Sequence, residues 1–270
     1  MAVVTVSRGA GSKGEVFSRE LAARLGYELV SREDVVQEAA KYGVPAERLQ
    51  KALLEAPGFW DRLTLDRKRY LAFVQAALSE RARGDQIVYE GNAGHLLLRG
   101  VSHVVCIRLL APLSHRVQTA MDARGMGHDE ALRYIESSDR ERENWTRFLY
   151  GVDWLDSTLY DLTLNLRTLQ IGGAVETALT VVQSAEFAPT EESRRAMENL
   201  VLESCVKAAL AADEETAAAG VQVHADGGVV SLRGRVRPAR MVDAVIGVVS
   251  RVDGVKEIDP KDLGAPEYTV

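Results

Sequence analysis

The chain is poor in cysteine, with two in 270 residues, Cys106 and Cys205. Two cysteines build no disulfide framework and cannot complete a zinc site by themselves. Each sits in an apolar run, so each reads as a small buried hydrophobe in a reducing compartment. Basic charge is not in excess: 33 Lys+Arg stand against 39 Asp+Glu, for a net charge of −6. That excludes the usual basic footprint of a nucleic-acid binder. No apolar stretch approaches the ~20 residues needed to span a bilayer. The opening Met1-Ala2-Val3-Val4-Thr5-Val6 lacks a basic flank and meets Ser7-Arg8 too soon for a signal peptide. The five histidines, His95, His103, His115, His128 and His224, show no metal-ligand spacing. There is no tandem repeat and no low-complexity tract. The expectation is a cytoplasmic chain with no nucleic-acid partner, peripheral contact with a membrane being left open.

What is present is ordinary globular material, 46% apolar and 27% charged, which excludes disordered and collagen-like chains. The length allows two domains. Val3–Val6 is short, β-branched and apolar throughout, as a strand buried on both faces should be. A Gly/Ser-rich turn follows, then a helical pattern carrying Val16, Phe17, Leu21, Ala22 and Leu25, closed by Gly26. Strands are expected at 27–30, 87–90, 104–109 and 159–166. Helical patterns fall at 33–42, 46–55, 66–83, 113–123, 128–149 and 171–184. Such alternation argues for an α/β fold, a parallel sheet with helices on both faces. Polar residues around Pro189 mark a linker at 186–192. Beyond it the pattern is helix (193–212), strand (221–225), strand (229–234), helix (238–252) and strand (255–259). The expected domains are 1–185 and 193–263, with a tail at 264–270.

The turn after the first strand, Ser7-Arg8-Gly9-Ala10-Gly11-Ser12-Lys13-Gly14, suits an anion. Loop N–H groups and the positive end of the following helix would face the same point. Against G-x-x-x-x-G-K-[ST], Ser stands at both glycine positions and Lys13 at the lysine. Glu15 stands where a Mg²⁺-binding hydroxyl is expected in G-K-G-T kinases. The bland alternative is a strand-to-helix turn with an incidental lysine.

Further segments carry a resemblance. Ser7-Arg8 with Gly11–Gly14, Gly26–Glu33 (GYELVSRE), Ala111-Pro112-Leu113 before Arg116, Ser138–Arg142 (SDRER), and Trp154 through Tyr160-Asp161-Leu162 resemble, in order, the motifs of the cytidylate kinase-like family. The resemblance covers about 1–183 and implies a P-loop kinase fold with a helical lid. It further implies ATP as phosphoryl donor with Mg²⁺, and a nucleoside monophosphate or related small molecule as acceptor. On this reading Lys13, Arg140 and Arg142 are catalytic, and Gly9, Gly11, Ser12, Lys13, Gly14 and Glu15 hold the cofactor. Arg32, Glu90, Asn92 and Arg116 bind substrate. Glu90-Gly91-Asn92-Ala93 departs from the family's D-G-R-D, and Ser31 replaces the Asp of its D-R-E. The bland alternatives remain: a solvated, ion-paired helix for Arg140 and Arg142, a solvated turn carboxylate for Glu90, and surface pairing for Arg116. Trp145 and Trp154 read as packing residues.

Residues 193–263 resemble a BON domain. The carriers are Val206–Leu210, Gly227–Gly234 (GGVVSLRG) and Val252–Lys256. The resemblance implies a module that meets a ligand, a phospholipid surface or a protein partner. Arg233, Arg235, Arg237 and Arg240 form a local basic cluster, to be read either as an anion site or as arginines paired with nearby carboxylates. The first functional reading is thus a kinase with a C-terminal docking or regulatory module. The second is a catalytically weak nucleotide sensor or adaptor with a degenerate P-loop, signalling through the BON domain. A third is a lipid-surface adaptor in which only the BON domain acts.

Overall fold

A computed structural model describes residues 1–49, 62–91, 93–236 and 240–264, without the side chains of 62–67, 145, 148 and 149. Asn92, Arg237, the Trp145 side chain and most of the expected 46–55 helix lie outside the described residues. The chain packs as two compact units. The first holds the described parts of Met1–Asp34 and Gly84–Ser193. The second holds the described parts of Val35–Leu53, Phe59–Arg83 and Arg194–Val270.

The first unit is built on five parallel strands: β1 (Val3–Arg8), β2 (Glu28–Ser31), β3 (Ile87–Glu90), β4 (Val104–Leu110) and β5 (Leu162–Asn165). Their order is β2-β3-β1-β4-β5. One face, through Val4, Val6, Val88, Val105, Ile107 and Leu109, packs on α1 (Gly14–Leu25) and on the helix Ile171–Val182. Phe17 and Leu21 of α1 are fully buried there, and each such side chain contributes roughly 1.5–3 kcal/mol. Gly26 ends α1 in the left-handed conformation, its N–H turned back to Ala22 and Ala23. The other face is polar: Thr5, Ser7, Tyr89 and Arg108 are all buried. The connection after β1 runs to β2 on one side of the sheet and that after its neighbour β4 runs to β5 on the other. The crevice beyond the carboxyl end of β1 is therefore the expected ligand site.

On that polar face lies His95, within a short α-helical turn, Gly94–Leu97. Its ring lies tilted against that of Tyr160, centroids 4.6 Å apart, and neither ring nitrogen has a hydrogen-bond partner. Burial, aided by the Arg108 charge, pushes its pKa down to about 4. The unfolded chain takes up this proton near pH 6.5, the folded one only near 4. Between those values the unfolded state binds more protons, so the contribution is full above pH 6.5 and lost as pH falls. The slope is at most about 1.4 kcal/mol per pH unit. His95→Phe should remove it. Urea midpoints at pH 7 and pH 5 check this; equal acid losses in the two proteins would contradict it.

In the second unit, β6 (Gln222–Asp226) and β7 (Val229–Arg235) form an antiparallel hairpin, and β8 (Glu257–Gly264) lies parallel to β7. Gly227 (φ 60°) and Gly228 (φ 99°) make the tight turn. The expected strand at 255–259 runs on to Gly264 because Pro260 sits on an edge strand. The register shifts there, with Ser231 opposite Asp259 and Arg233 opposite Asp262. Leu202, Val206 and Leu210 of one helix and Val245, Val248 and Val249 of another close over Val223, Ala225, Val230 and Leu232. Arg233 pairs with Asp262 at 3.0 Å, and Arg240 approaches Glu215 at 4.0 Å, as the paired reading of this cluster expects.

Candidate active site

The loop from β1 to α1 is fixed by its own backbone and by one arginine. Ser12 is buried, and its Oγ donates to the Gly9 carbonyl at 2.8 Å. Gly11 has φ 73°, and a Cβ there would fall 2.4 Å from the Arg116 carbonyl oxygen. Both conditions demand glycine. Gly11→Ala should cost about 2 kcal/mol or more, from left-handed strain plus overpacking; a urea midpoint within 0.3 M of the parent would contradict this. Lys13 holds the N-cap of α1 with φ 58°, exposed, and no side chain caps that end. The first-turn N–H groups thus remain available to an anion.

Arginines converge on this loop. Arg116 lies in the first turn of the helix Leu113–Arg124. Its Nε donates to the Ala10 carbonyl at 2.7 Å, and its Nη2 donates to both oxygens of Asp139 at 2.8 and 2.7 Å. Arg142 reaches the same carboxylate at 3.5 Å. Burial, then the Arg8 and Arg116 charges, push Arg142 down to about 10, still cationic at neutral pH. Arg8, the last residue of β1, donates from Nε to Glu90 at the end of β3. Three arginines face two carboxylates, so the cluster keeps net positive charge before Lys13 is added. That is the electrostatics a triphosphate needs.

The sequence-predicted residues divide accordingly. Gly9, Gly11, Ser12, Lys13, Gly14, Arg116 and Arg142 come together around the loop. Glu90 is 8% exposed and ion-paired, so the solvated-turn reading of it is overturned. Arg116 is held against the loop rather than along its own helix surface. Glu15 points outward and pairs with Arg19 at 2.6 Å. Arg140 is exposed and borders a groove with Arg133, Glu136 and Asn144 on the outer side of the helix His128–Tyr150. Arg32 begins the helix after β2, and its charge reaches Tyr89. Trp154 is a packing residue, its ring 5.3 Å from the Arg108 guanidinium. Both cysteines are free and half-buried rather than fully buried as expected, and burial raises their thiols, Cys106 to about 11, which disfavours the reactive thiolate. Arg8 and Asp139 are site residues that the sequence reading quoted within motifs but gave no role.

A cleft of about 590 Å³ opens from Gly11, Ser12 and Lys13. His115, Gln118, Thr119 and Asp122 form one wall, and Leu166–Ile171 supply the other. Among the described residues no group of three His, Cys, Asp or Glu could hold a metal. Glu90, at the end of β3 and paired with Arg8, is the carboxylate beside the loop. No described helix is long and apolar enough to cross a membrane.

Residues 3–168 match the cytidylate kinase-like family, and residues 200–261 match the BON domain. A cytidylate kinase of Pyrobaculum aerophilum is 32% identical over 182 residues, which is 66% of this chain and 91% of that protein. A cytidylate kinase of Ignicoccus hospitalis is 31% identical over 180 residues, 66% of this chain and 96% of that one. A crystal structure of an uncharacterised protein from Eubacterium ventriosum shares the fold with a TM-score of 0.54 at 16% identity, over 67% of this chain and 97% of that one. The strand order, the loop at the end of β1 and these matches agree: the chain belongs to the cytidylate kinase-like family, a family of kinases, and carries a BON domain behind its kinase part.

Proposed function

We propose that this chain transfers the γ-phosphoryl group of ATP to a nucleoside monophosphate or a closely related acceptor. The observation that carries the reading is the convergence of Arg8, Arg116 and Arg142 on an uncapped helix start, beside a cleft of nucleotide size. Phosphoryl transfer needs little covalent help from protein; it needs alignment and charge neutralisation. The N–H groups of Gly9–Gly14 would hold the β-phosphate, and Lys13 would bridge β and γ. The cleft along His115–Asp122 would take the base and sugar. Arg142 would meet the charge that spreads over the transferring group, while Arg116 and Asp139 hold the lid helix to the loop. Mg²⁺ would supply further charge neutralisation on the donor phosphates, with Glu90 placed to meet its water shell. Arg32 and Glu90 flank the acceptor side.

The relatives' name makes cytidylate the first acceptor to test. Asn92 and Ala93 stand where cytidylate kinases have Arg and Asp, so preference for another monophosphate is the expected departure. Incubation with Mg-ATP and CMP, dCMP, UMP, AMP or GMP, read by mass spectrometry, tests the proposal. One nucleoside diphosphate should dominate the products; no diphosphate from any acceptor would contradict it. A second reading, a nucleotide-binding sensor, is favoured by the outward Glu15 at the position of the metal-binding hydroxyl. The BON domain serves, on either reading, as a binding or regulatory module, and the setting we propose for both is the cytoplasm.

A further inference from the structure

Between β2 and β3 the chain makes a helical excursion: α2 (Arg32–Ala39), a 3-10 turn (Ala40–Tyr42), the segment through 61, and α3 (Arg62–Ala82). It leaves the sheet at Arg32 and returns to the strand that ends in Glu90. Its described residues from Val35 to Ala82 pack in one compact unit with the described residues of the C-terminal domain. The partner is the first helix of that domain, Glu191–Ala212.

That helix has two buried faces. Leu202, Val206 and Leu210 belong to the core of the BON sheet. Met197, Val201, Ser204, Ala208 and Ala211 recur at steps of four and three, are 0–9% exposed, and stand outside that core. This second stripe has the helical period of a helix-packing seam. Its contacts run antiparallel to α3. Arg83 pairs with Glu198 at 2.9 Å, Ser79 Oγ meets Ser204 Oγ at 2.9 Å in full burial, and Arg69 Nε donates to the Ala211 carbonyl at 2.6 Å. Tyr42 stacks on Phe73 at 5.2 Å, and its hydroxyl feels the electrostatics of Cys205 and Glu80. Both arms of the excursion therefore meet the same helix.

We infer that Glu198, Ser204 and Ala211 are positioning residues for the acceptor side of the kinase, through their hold on α3. The BON domain is then no tethered passenger: what it binds biases the helices that join Arg32 to Glu90. The acceptor half of this inference rests on the kinase reading; the mechanical half does not.

The test uses the full chain and two variants. Ser204→Leu wedges the seam, and Arg69→Ala/Arg83→Ala loosens its rim without touching buried packing. Hydrogen exchange is read at 71–82 and 197–211, and KM is read for acceptor and for ATP. The expected result is exchange at least tenfold faster in both segments together for Ser204→Leu. Acceptor KM should rise fivefold or more for Ser204→Leu and about twofold to fivefold for the arginine pair, with ATP KM and kcat within twofold. Exchange that quickens in 197–211 and leaves 71–82 unchanged overturns the inference. So does an acceptor KM that stays put, or one that moves together with ATP KM. If the unaltered protein turns over no acceptor, the kinase reading fails and takes the acceptor half with it, while the exchange result still decides the mechanical half.

Discussion

Replacing Arg142 with Ala should lower kcat by about 10³-fold, the scale of an arginine that meets transition-state charge. The side chain lies against Arg8, Arg116 and Asp139, buried deeply enough to be pushed down to about 10. A cation held there before the reaction needs no reorganisation when charge develops. ATP binding should weaken less than kcat falls, because the contact strengthens as the γ-phosphoryl moves. Arg140→Ala is the comparison, with an expected loss below tenfold, since that guanidinium borders the outer groove. Steady-state kinetics of the two variants decide the point. Equal losses at both positions, or less than tenfold at Arg142, would contradict the assignment.

Asp139→Ala should be the most destabilising single change outside the loop itself. The carboxylate takes two hydrogen bonds from Arg116 and one from Arg142. Without it, two partly buried guanidiniums face one another and the Arg8 charge with no anion between them. The expected cost is about 2–4 kcal/mol, within the range for breaking a buried pair. Activity should fall at least 100-fold, because Arg116 no longer holds Ala10 in place. Asp139→Asn keeps shape and one acceptor oxygen, so it should recover part of the stability and less of the activity. Urea unfolding with kcat on the same preparations measures both. Stability unchanged by Asp139→Ala would show that the pairing is incidental.

The fold was legible where burial leaves a local signature. Val3–Val6 is β-branched throughout and apolar but for Thr5 because all four side chains are buried, and Gly26 ends α1 because only a left-handed residue fits there. Lys13 and the glycines could be placed from the loop alone. Arg142 and Arg140 could not be told apart, because a two-residue step says that they face differently but not which one faces inward. That choice is made by Arg8 and by Arg116, which holds Asp139 to the loop, and both are distant in sequence. Glu90 had the same difficulty: only the register of β1 on β3 brings Arg8 to it. The hold of the C-terminal helix on α3 was missed, though a signal existed. Met197, Val201, Ala208 and Ala211 form an apolar stripe beside that of Leu202, Val206 and Leu210, and a helix apolar on two sides is buried on two sides.

The central claim is that the loop ending in Lys13 works on ATP for an acceptor. The most direct test is ADP release from Mg-ATP, with and without each nucleoside monophosphate, in the unaltered chain beside Lys13→Ala. The account predicts acceptor-dependent release from the unaltered chain and a loss of at least 100-fold in the variant. ATP binding that depends on Lys13, without release under any acceptor, would move the chain to the sensor reading. Release that persists in Lys13→Ala, or no ATP binding at all, would contradict the account of this site.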